Sequence, residues 1–254
     1  MIIHSFKGGS LLKKTYFYVV LTYAIMQLSS FIFAPLLMWV FGSFGFSPAE
    51  AYKYTTTFWI VFSFSAALVI IIYLLRKEIQ IELNSRASLP WGKYIGWGIL
   101  GMFLAMFAQV IAVRIMELIG LPLISENTQS IVEMVEMSML IIVAPALIGP
   151  ILEEIVFRKI LFGALMERLG FFLSSILSSL VFAIVHVDFT HTLVYVGMGL
   201  VFCYLYKKTE SIITPILAHM FMNSMVIIAQ LNIDKIIELE DKLNTVQLIF
   251  GGLL

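Results

Sequence analysis

The chain has 254 residues, of which 61% are hydrophobic and only 13% are charged, and its mean hydropathy is +0.99. Globular domains average about 45–50% apolar and about 25% charged residues. This composition excludes an ordinary water-soluble domain and predicts a polytopic integral membrane protein. The formal net charge is zero, which gives no reason to expect nucleic acid as a partner.

The apolar runs predict an all-α bundle of about seven to eight transmembrane helices, because a span needs about 20 apolar residues. Seven helices can be placed, at residues 15–41, 55–75, 93–113, 137–168, 171–187, 192–206 and 211–231. The first is expected to be a retained span, since it exceeds the apolar core of about 7–15 residues in a signal peptide. Residues 1–254 are therefore predicted to form a single integral membrane domain.

The connections between these helices carry most of the charge. With the N-terminus inside, inner segments hold 12 basic residues and outer ones 4, and this bias favours that orientation. Residues 114–136 are long, acidic and mixed, and they suit either an outer loop with an interfacial helix or a simple connector. Residues 234–254 suit another amphipathic helix. Asp188 is expected to be solvated and His191 interfacial, whereas Cys203 lies in an apolar run and is expected to be a packing residue.

Two adjacent glutamates and an arginine interrupt the fourth apolar stretch. A charge at mid-bilayer costs roughly 2.5–3.5 kcal/mol on insertion scales, so Glu153, Glu154 and Arg158 need a reason to be there. On an α-helix, Glu154 and Arg158 share a face and are predicted to pair. Glu153 is rotated from Glu154 by about 100° and stays available as a general base. The alternative is that these charges mark the inner end of a short span.

Two more pairs of residues have the spacing of one helix face. Phe182 and His186 are four residues apart at the end of the fifth helix, and His219 and Asn223 are four apart within the seventh. Polar groups inside lipid must find partners. His186 could bond a carbonyl at the interface, and His219 with Asn223 could hold helices together by hydrogen bonds. A chemical role for both pairs is the competing interpretation.

Depth in the membrane gives one test of a shared site. Glu153 and His186 each lie 15 residues, or about 22 Å, from the predicted inner ends of their helices at residues 168 and 171. They can share one layer only if the fourth helix continues past Glu153. That arrangement requires Arg158 and Lys159 to lie within the membrane or in a water-filled cavity.

The three motifs together resemble those of a known family. Glu-Glu-x-x-x-Arg at 153–158, Phe-x-x-x-His at 182–186 and His-x-x-x-Asn at 219–223 follow one another on successive apolar helices. In this order they resemble the CAAX prenyl protease and bacteriocin-processing family, which contains type II CAAX endopeptidases and bacterial Abi proteins. The resemblance covers about residues 148–226, and the catalytic core is placed at about 134–231. Lys159 departs from the family's pattern, since glycine is common there.

The resemblance implies an intramembrane glutamic endopeptidase. Glu153 with His186 would activate a water for attack on a peptide carbonyl, and His219 with Asn223 would stabilise the oxyanion. The residues implied to support this site are Glu154, Arg158 and Phe182. The expected partners are the lipid bilayer and a peptide or protein substrate in or at the membrane, and the expected location is a bacterial plasma membrane.

No cofactor is expected, although zinc is the obvious rival for a site with histidines and glutamates. Zinc peptidases usually present His-Glu-x-x-His on one helix, and this motif is absent, so a metal-free site is favoured. Three scattered ligands would still suit a zinc metalloprotease. Two other classes stay open: a non-catalytic bacteriocin self-immunity or membrane scaffold protein, and a transporter or channel lined by polar residues.

Overall fold

The computed structural model describes residues 10–85, 90–233 and 235–238, and this part of the chain is helical with short connections and no strand. Its α-helices are α1 (Ser10–Ser43), α2 (Pro48–Ser85), α3 (Trp91–Leu118), α4 (Glu126–Met137), α5 (Gly149–Glu153), α6 (Gly163–Ile184), α7 (Thr192–Thr209) and α8 (Ile213–Gln230). The predicted all-α fold is confirmed. The tail helix predicted at 234–254 lies outside the described residues except for 235–238, which are helical.

Six helical stretches in the described residues are long and apolar enough to cross a membrane, which confirms the polytopic bundle. One of them, Met139–Ile184, has 46 residues and contains both the fourth and the fifth predicted helices. Gly170 interrupts it with φ 71° and ψ 179°, a backbone region open essentially to glycine alone. Beyond this break the chain folds back, so that the Ser178 hydroxyl donates to the Phe157 carbonyl at 2.8 Å. The two arms therefore form a hairpin.

The segment before α4 is a loop, and α4 itself is too short to span a bilayer. Ser125 caps its N-terminus by accepting a hydrogen bond from the Thr128 amide at 3.1 Å. Val135 is fully buried, whereas Glu126 and Glu133 are exposed. The helix expected between residues 114 and 136 is therefore present, and it is amphipathic.

The first arm of the hairpin is wound unusually. Residues Ala144–Ile148 and Glu154–Phe162 form π-helices on either side of α5. In a π-helix the amide bonds to the carbonyl five residues back, and such turns are rare and frequent at functional sites. The α-helical geometry assumed for Glu154 and Arg158 is therefore wrong in detail, although the two side chains do meet.

Close helix packing brings α6 and α7 together at a glycine. A Cβ atom on Gly199 would lie 2.7 Å from the Cβ and 2.6 Å from the Oγ of Ser179. Both distances are far below van der Waals contact, and Ser179 is itself buried. The backbone of α7 can lie this close to α6 only because residue 199 has no side chain.

We expect Gly199→Ala to lower the free energy of unfolding by about 1–3 kcal/mol, because overpacking forces helices apart. Gly197→Ala is the matched control on the same helix, since a Cβ there would lie 3.5 Å from the Ala108 Cβ, an ordinary contact. Denaturant titration in detergent micelles measures both. Equal stability of the two variants would contradict the close approach.

Candidate active site

A cavity of about 1070 Å³ lies between the hairpin and the remaining helices. Four of its lining residues are Glu153 at the end of α5, His186 just after α6, and His219 and Asn223 on α8. The opposite wall comes from α1, α2 and α3 and includes Tyr23, Gln27, Phe64 and Gln109. The structure thus brings the four side chains with a predicted catalytic role to one cavity, although they come from three separate parts of the chain.

Glu154 and Arg158 form an ion pair at the base of this site. The Arg158 Nε lies 3.2 Å from the Glu154 Oε2, and both side chains are 0% exposed. The guanidinium carbon lies 4.3 Å from the ring centroid of Phe182 and 5.2 Å from that of Phe202. Aromatic faces attract a cation, and the attraction grows when water is excluded. The predicted pair is present, and aromatic rings rather than water surround its cation.

His219 contacts both glutamates. Its Nδ1 lies 2.9 Å from the Glu154 Oε1, and its Nε2 lies 3.7 Å from the Glu153 Oε2. A carboxylate paired with Arg158 is an acceptor, so Nδ1 carries a proton and donates it to Glu154. His219 is only 2% exposed, and its ring stacks on Phe202 with centroids 4.7 Å apart. Glu154 therefore orients His219, a contact between residues 65 apart that no local spacing reveals.

His186 presents one nitrogen to the cavity. Its Nδ1 lies 2.8 Å from the Phe182 carbonyl oxygen, which can only accept, so Nδ1 carries the proton in the neutral ring. The Nε2 lone pair is then the basic site. Burial lowers the pKa of His186, the Glu153 carboxylate raises it in part, and the net pKa lies below its usual value. A neutral imidazole of this kind can accept a proton from water at neutral pH.

Asn223 is held by the first π-helix. Its Nδ2 donates to the Pro145 carbonyl at 2.9 Å. A primary amide nitrogen has two hydrogens, so the other one stays available to a group in the cavity. The π-helical turn at Ala144–Ile148 therefore fixes the orientation of Asn223, which lies one helical turn along α8 from His219.

Comparisons with known proteins identify a family and two relatives. A profile described as "Type II CAAX prenyl endopeptidase Rce1-like" matches residues 135–225. The "Putative membrane peptidase YdiL" of Bacillus subtilis is 42% identical over 95% of this chain and 99% of its own length. The "Membrane-embedded CAAX protease MroQ" of Staphylococcus aureus is 33% identical over 68% of this chain and 72% of its own. The chain belongs to the Rce1-like family of type II CAAX prenyl endopeptidases. No solved structure gives a significant match.

Membership in the Rce1-like family, with relatives from bacteria, supports a multi-pass membrane protein of a peptidase family. The matched region contains the whole hairpin and most of α8. It includes every residue that the three motifs contribute: Glu153, Glu154, Arg158, Phe182, His186, His219 and Asn223. The resemblance drawn from the motifs is therefore confirmed.

Lys159, where this member departs from the Rce1-like pattern, has a local partner. Its Nζ lies 3.9 Å from the Glu78 Oε2, which also accepts a hydrogen bond from the Tyr16 hydroxyl at 2.9 Å. Both charged side chains are about 85% buried. Lys159 and Arg158 lie inside the 46-residue candidate span, as a shared catalytic layer requires.

The prediction that Asp188 is solvated was wrong, because this residue is only 6% exposed. His191, which is expected to be interfacial, is also buried among protein atoms, at 4% exposed. Asp188 accepts hydrogen bonds from Ser125 at 2.7 Å and Thr190 at 2.9 Å, and the His191 Nδ1 lies 3.1 Å from it. Burial alone would raise the pKa of Asp188, but these bonds lower it, and the net pKa lies below its usual value. Ser125, the N-cap residue of α4, reaches this connection across 63 positions, which the sequence alone does not show.

Histidine and glutamate side chains, which can ligate zinc, occur together at this site. Among the residues that the structure describes, no group of three or more His, Cys, Asp or Glu side chains is arranged to hold a metal ion. His219 instead contacts both glutamates, and Glu154 also pairs with Arg158. Cys203 is buried, as a packing residue would be.

Proposed function

We propose that this protein is an intramembrane glutamic endopeptidase that hydrolyses a peptide bond of a membrane-associated peptide or protein. The observation that carries the proposal is the convergence of Glu153, His186, His219 and Asn223 on one largely apolar cavity. General acid–base groups and oxyanion donors are the parts that peptide hydrolysis needs. The family relationship supports the same reaction class.

In the proposed reaction, a water lies between the Glu153 carboxylate and the Nε2 of His186. Its oxygen attacks the carbonyl carbon while its proton passes to this pair, which forms a C–O bond and leaves an oxyanion. The free Asn223 hydrogen stabilises the negative charge, and so does His219 in its doubly protonated form, in which Nδ1 donates to Glu154 and Nε2 donates to the oxyanion. The C–N bond then breaks, and the leaving nitrogen takes the proton from the pair. No metal takes part in these steps.

Three features of the chain support the proposed reaction: two contacts that orient the histidines and the apolar walls of the cavity. Glu154, fixed by Arg158, holds the tautomer of His219, much as a buried carboxylate orients a catalytic imidazole elsewhere. The Phe182 carbonyl does the same for His186. The apolar walls of the cavity suit substrates with apolar side chains beside the cleaved bond and keep bulk water out.

Cleavage by purified protein in liposomes tests the proposal. The substrates are membrane-proximal peptides, each in a prenylated and an unprenylated form, since the relative from Staphylococcus aureus is named a CAAX protease. Wild type is compared with Glu153→Gln and His186→Ala. Product formation by wild type that both substitutions abolish supports the peptidase. A different outcome would replace the peptidase proposal with the non-catalytic immunity or scaffold function. In that outcome wild type cuts none of the peptides, and the Glu153→Gln protein keeps its full biological function in cells.

We expect activity to survive exhaustive treatment with a metal chelator, because the proposed water is activated by a carboxylate and an imidazole. The measurement compares initial rates of the liposome reaction before and after incubation with chelator, with a known zinc peptidase as the positive control. Loss of activity that added zinc restores would overturn the metal-free mechanism in favour of a metalloprotease.

A further inference from the structure

The imidazole of His186 is enclosed by two aromatic rings. The Tyr195 ring of α7 stacks on it with centroids 4.2 Å apart and an interplanar angle of 26°. The Phe182 ring meets it edge-on at 4.6 Å. With Nδ1 bonded to the Phe182 carbonyl, these contacts leave the ring little freedom to rotate. Tyr195 is 94% buried, so it is itself a well-fixed support.

Two residues at the start of α4 hold the Tyr195 hydroxyl. It accepts a hydrogen bond from the Asn127 Nδ2 at 3.1 Å, and the Ser125 Oγ lies 3.5 Å away. Ser125 also donates to Asp188 at 2.7 Å, two residues after His186 in the chain. The stacked ring and the backbone that follows His186 are thus joined through one polar network. Asn127, Tyr195 and His186 all line the cavity.

The backbone between His186 and Asp188 is strained. Val187 has φ +56°, which is a genuine outlier for a β-branched residue. Such a conformation persists only where the surroundings over-determine it, and it concentrates at functional sites. The hydrogen bonds to Asp188 from Ser125 and Thr190 supply that constraint. The turn at Val187 ends the helical path directly after His186.

We propose that Tyr195 is a positioning residue, which stacks on His186 and keeps its Nε2 directed at the attacking water, with Asn127 as its direct anchor and Asp188 joined to it through Ser125. This inference rests on the proposed function. It adds a residue that lies outside the three motifs and connects α4 to the reaction. A misplacement of about 1 Å in a catalytic group can cost about 10²-fold in rate, so a device that fixes the ring has a large effect.

The charged groups around His186 and its burial determine how loss of the Tyr195 ring would change the pKa of His186. The charged or titratable groups that act on it are Glu153 from α5, Arg158 from the second π-helix and His219 from α8. Tyr195 is joined through Ser125 to Asp188, which in turn contacts His191. Removing the Tyr195 ring admits water to the imidazole. Burial is the largest cause that lowers the pKa of His186, so hydration raises this pKa toward its usual value.

The first test needs no substrate. The pKa of His186 is measured by NMR in histidine-labelled protein in nanodiscs, with His186→Gln used to assign its signal among the four histidines. We expect Tyr195→Leu to raise this pKa, and Asn127→Ala to raise it by less, because Asn127→Ala removes only the anchor and keeps the ring. Tyr204→Leu, an exposed tyrosine on the same helix, is the matched control and should leave it unchanged. An unchanged pKa in both Tyr195→Leu and Asn127→Ala overturns the proposal, and Asn127→Ala alone decides it if Tyr195→Leu does not fold.

The second test uses the liposome reaction. Tyr195→Phe keeps the ring and loses the hydroxyl anchor, and we expect kcat to fall about 3–10-fold with KM unchanged, whereas Tyr195→Leu should lose about 10–100-fold. The acidic limb of the pH profile should move to higher pH in Tyr195→Leu, since His186 must be neutral to accept a proton. A merely structural tyrosine would lower the amount of folded enzyme without moving that limb. If wild type cuts no substrate, the proposed function fails, while the NMR titration still decides the role of Tyr195.

Discussion

Glu153→Gln is expected to lower kcat/KM for peptide cleavage by about 10²–10⁴-fold, the range that general acid–base catalysis contributes. Glutamine keeps the size of the side chain but cannot take the proton from water. The Glu153 side chain is 16% exposed and lies at the cavity, so its carboxylate has room for a water that the fully buried Glu154 lacks. The rate is measured in liposomes at several pH values.

The control for Glu153→Gln is Glu133→Gln, which changes an exposed carboxylate of α4 and should leave the rate unchanged. Insertion and the unfolding midpoint of each variant show whether the fold is kept. Glu154→Gln makes a separate comparison, because it should lower the rate by disturbing His219 and should also destabilise the protein. If Glu153→Gln keeps wild-type activity while Glu154→Gln abolishes it, the two glutamates have the opposite roles from those proposed.

Arg158→Met is expected to destabilise the protein by about 3–5 kcal/mol, because it leaves the Glu154 carboxylate buried without its cation. Removing one partner of a buried ion pair lowers the stability more than removing both partners, because a single partner is left as an unpaired buried charge. The double variant Glu154→Gln/Arg158→Met should therefore recover part of the loss, and a double-mutant cycle isolates the interaction. Unfolding in mixed micelles gives the free energies.

An exposed ion pair on α3 provides the control for the buried pair of Glu154 and Arg158. Arg114 and Glu117 lie three residues apart on α3 with Nη1 and Oε2 at 2.8 Å, and their side chains are 74% and 51% exposed. Solvent screens such a pair, so Arg114→Met should change the stability by about 0–1 kcal/mol. Equal losses for Arg158→Met and Arg114→Met would show that the Glu154–Arg158 pair is hydrated and not enclosed by Phe182 and Phe202.

Short-range regularities account for what could be predicted from the sequence. Runs of about 20 apolar residues indicate spans whatever their packing, and residues four apart on a helix meet, as Glu154 and Arg158 do. The order of three motifs identified the family because each spacing is preserved on its own helix. The helix at residues 126–137 follows from Ser125 as N-cap and an apolar face.

Contacts between distant residues could not be predicted. The hydrogen bond between His219 and Glu154 joins positions 65 apart, and the burial of Asp188 depends on Ser125, 63 residues earlier. π-helical winding is equally hidden, because its sequence preferences do not differ visibly from those of an apolar α-helix. The sequence does not distinguish Tyr195 from its apolar neighbours for the same reason, since only the stacked ring in the structure marks it.

The cavity is built from two parts of the chain that contribute different things to it. Every side chain assigned to the reaction lies between residues 153 and 223, whereas α1, α2 and α3 contribute only wall residues such as Phe64 and Gln109. Exchange of the first 118 residues with those of a relative should therefore change which substrates fit while leaving the reaction itself intact. A chimaera of this kind would retain the pH profile of one parent and acquire the selectivity of the other.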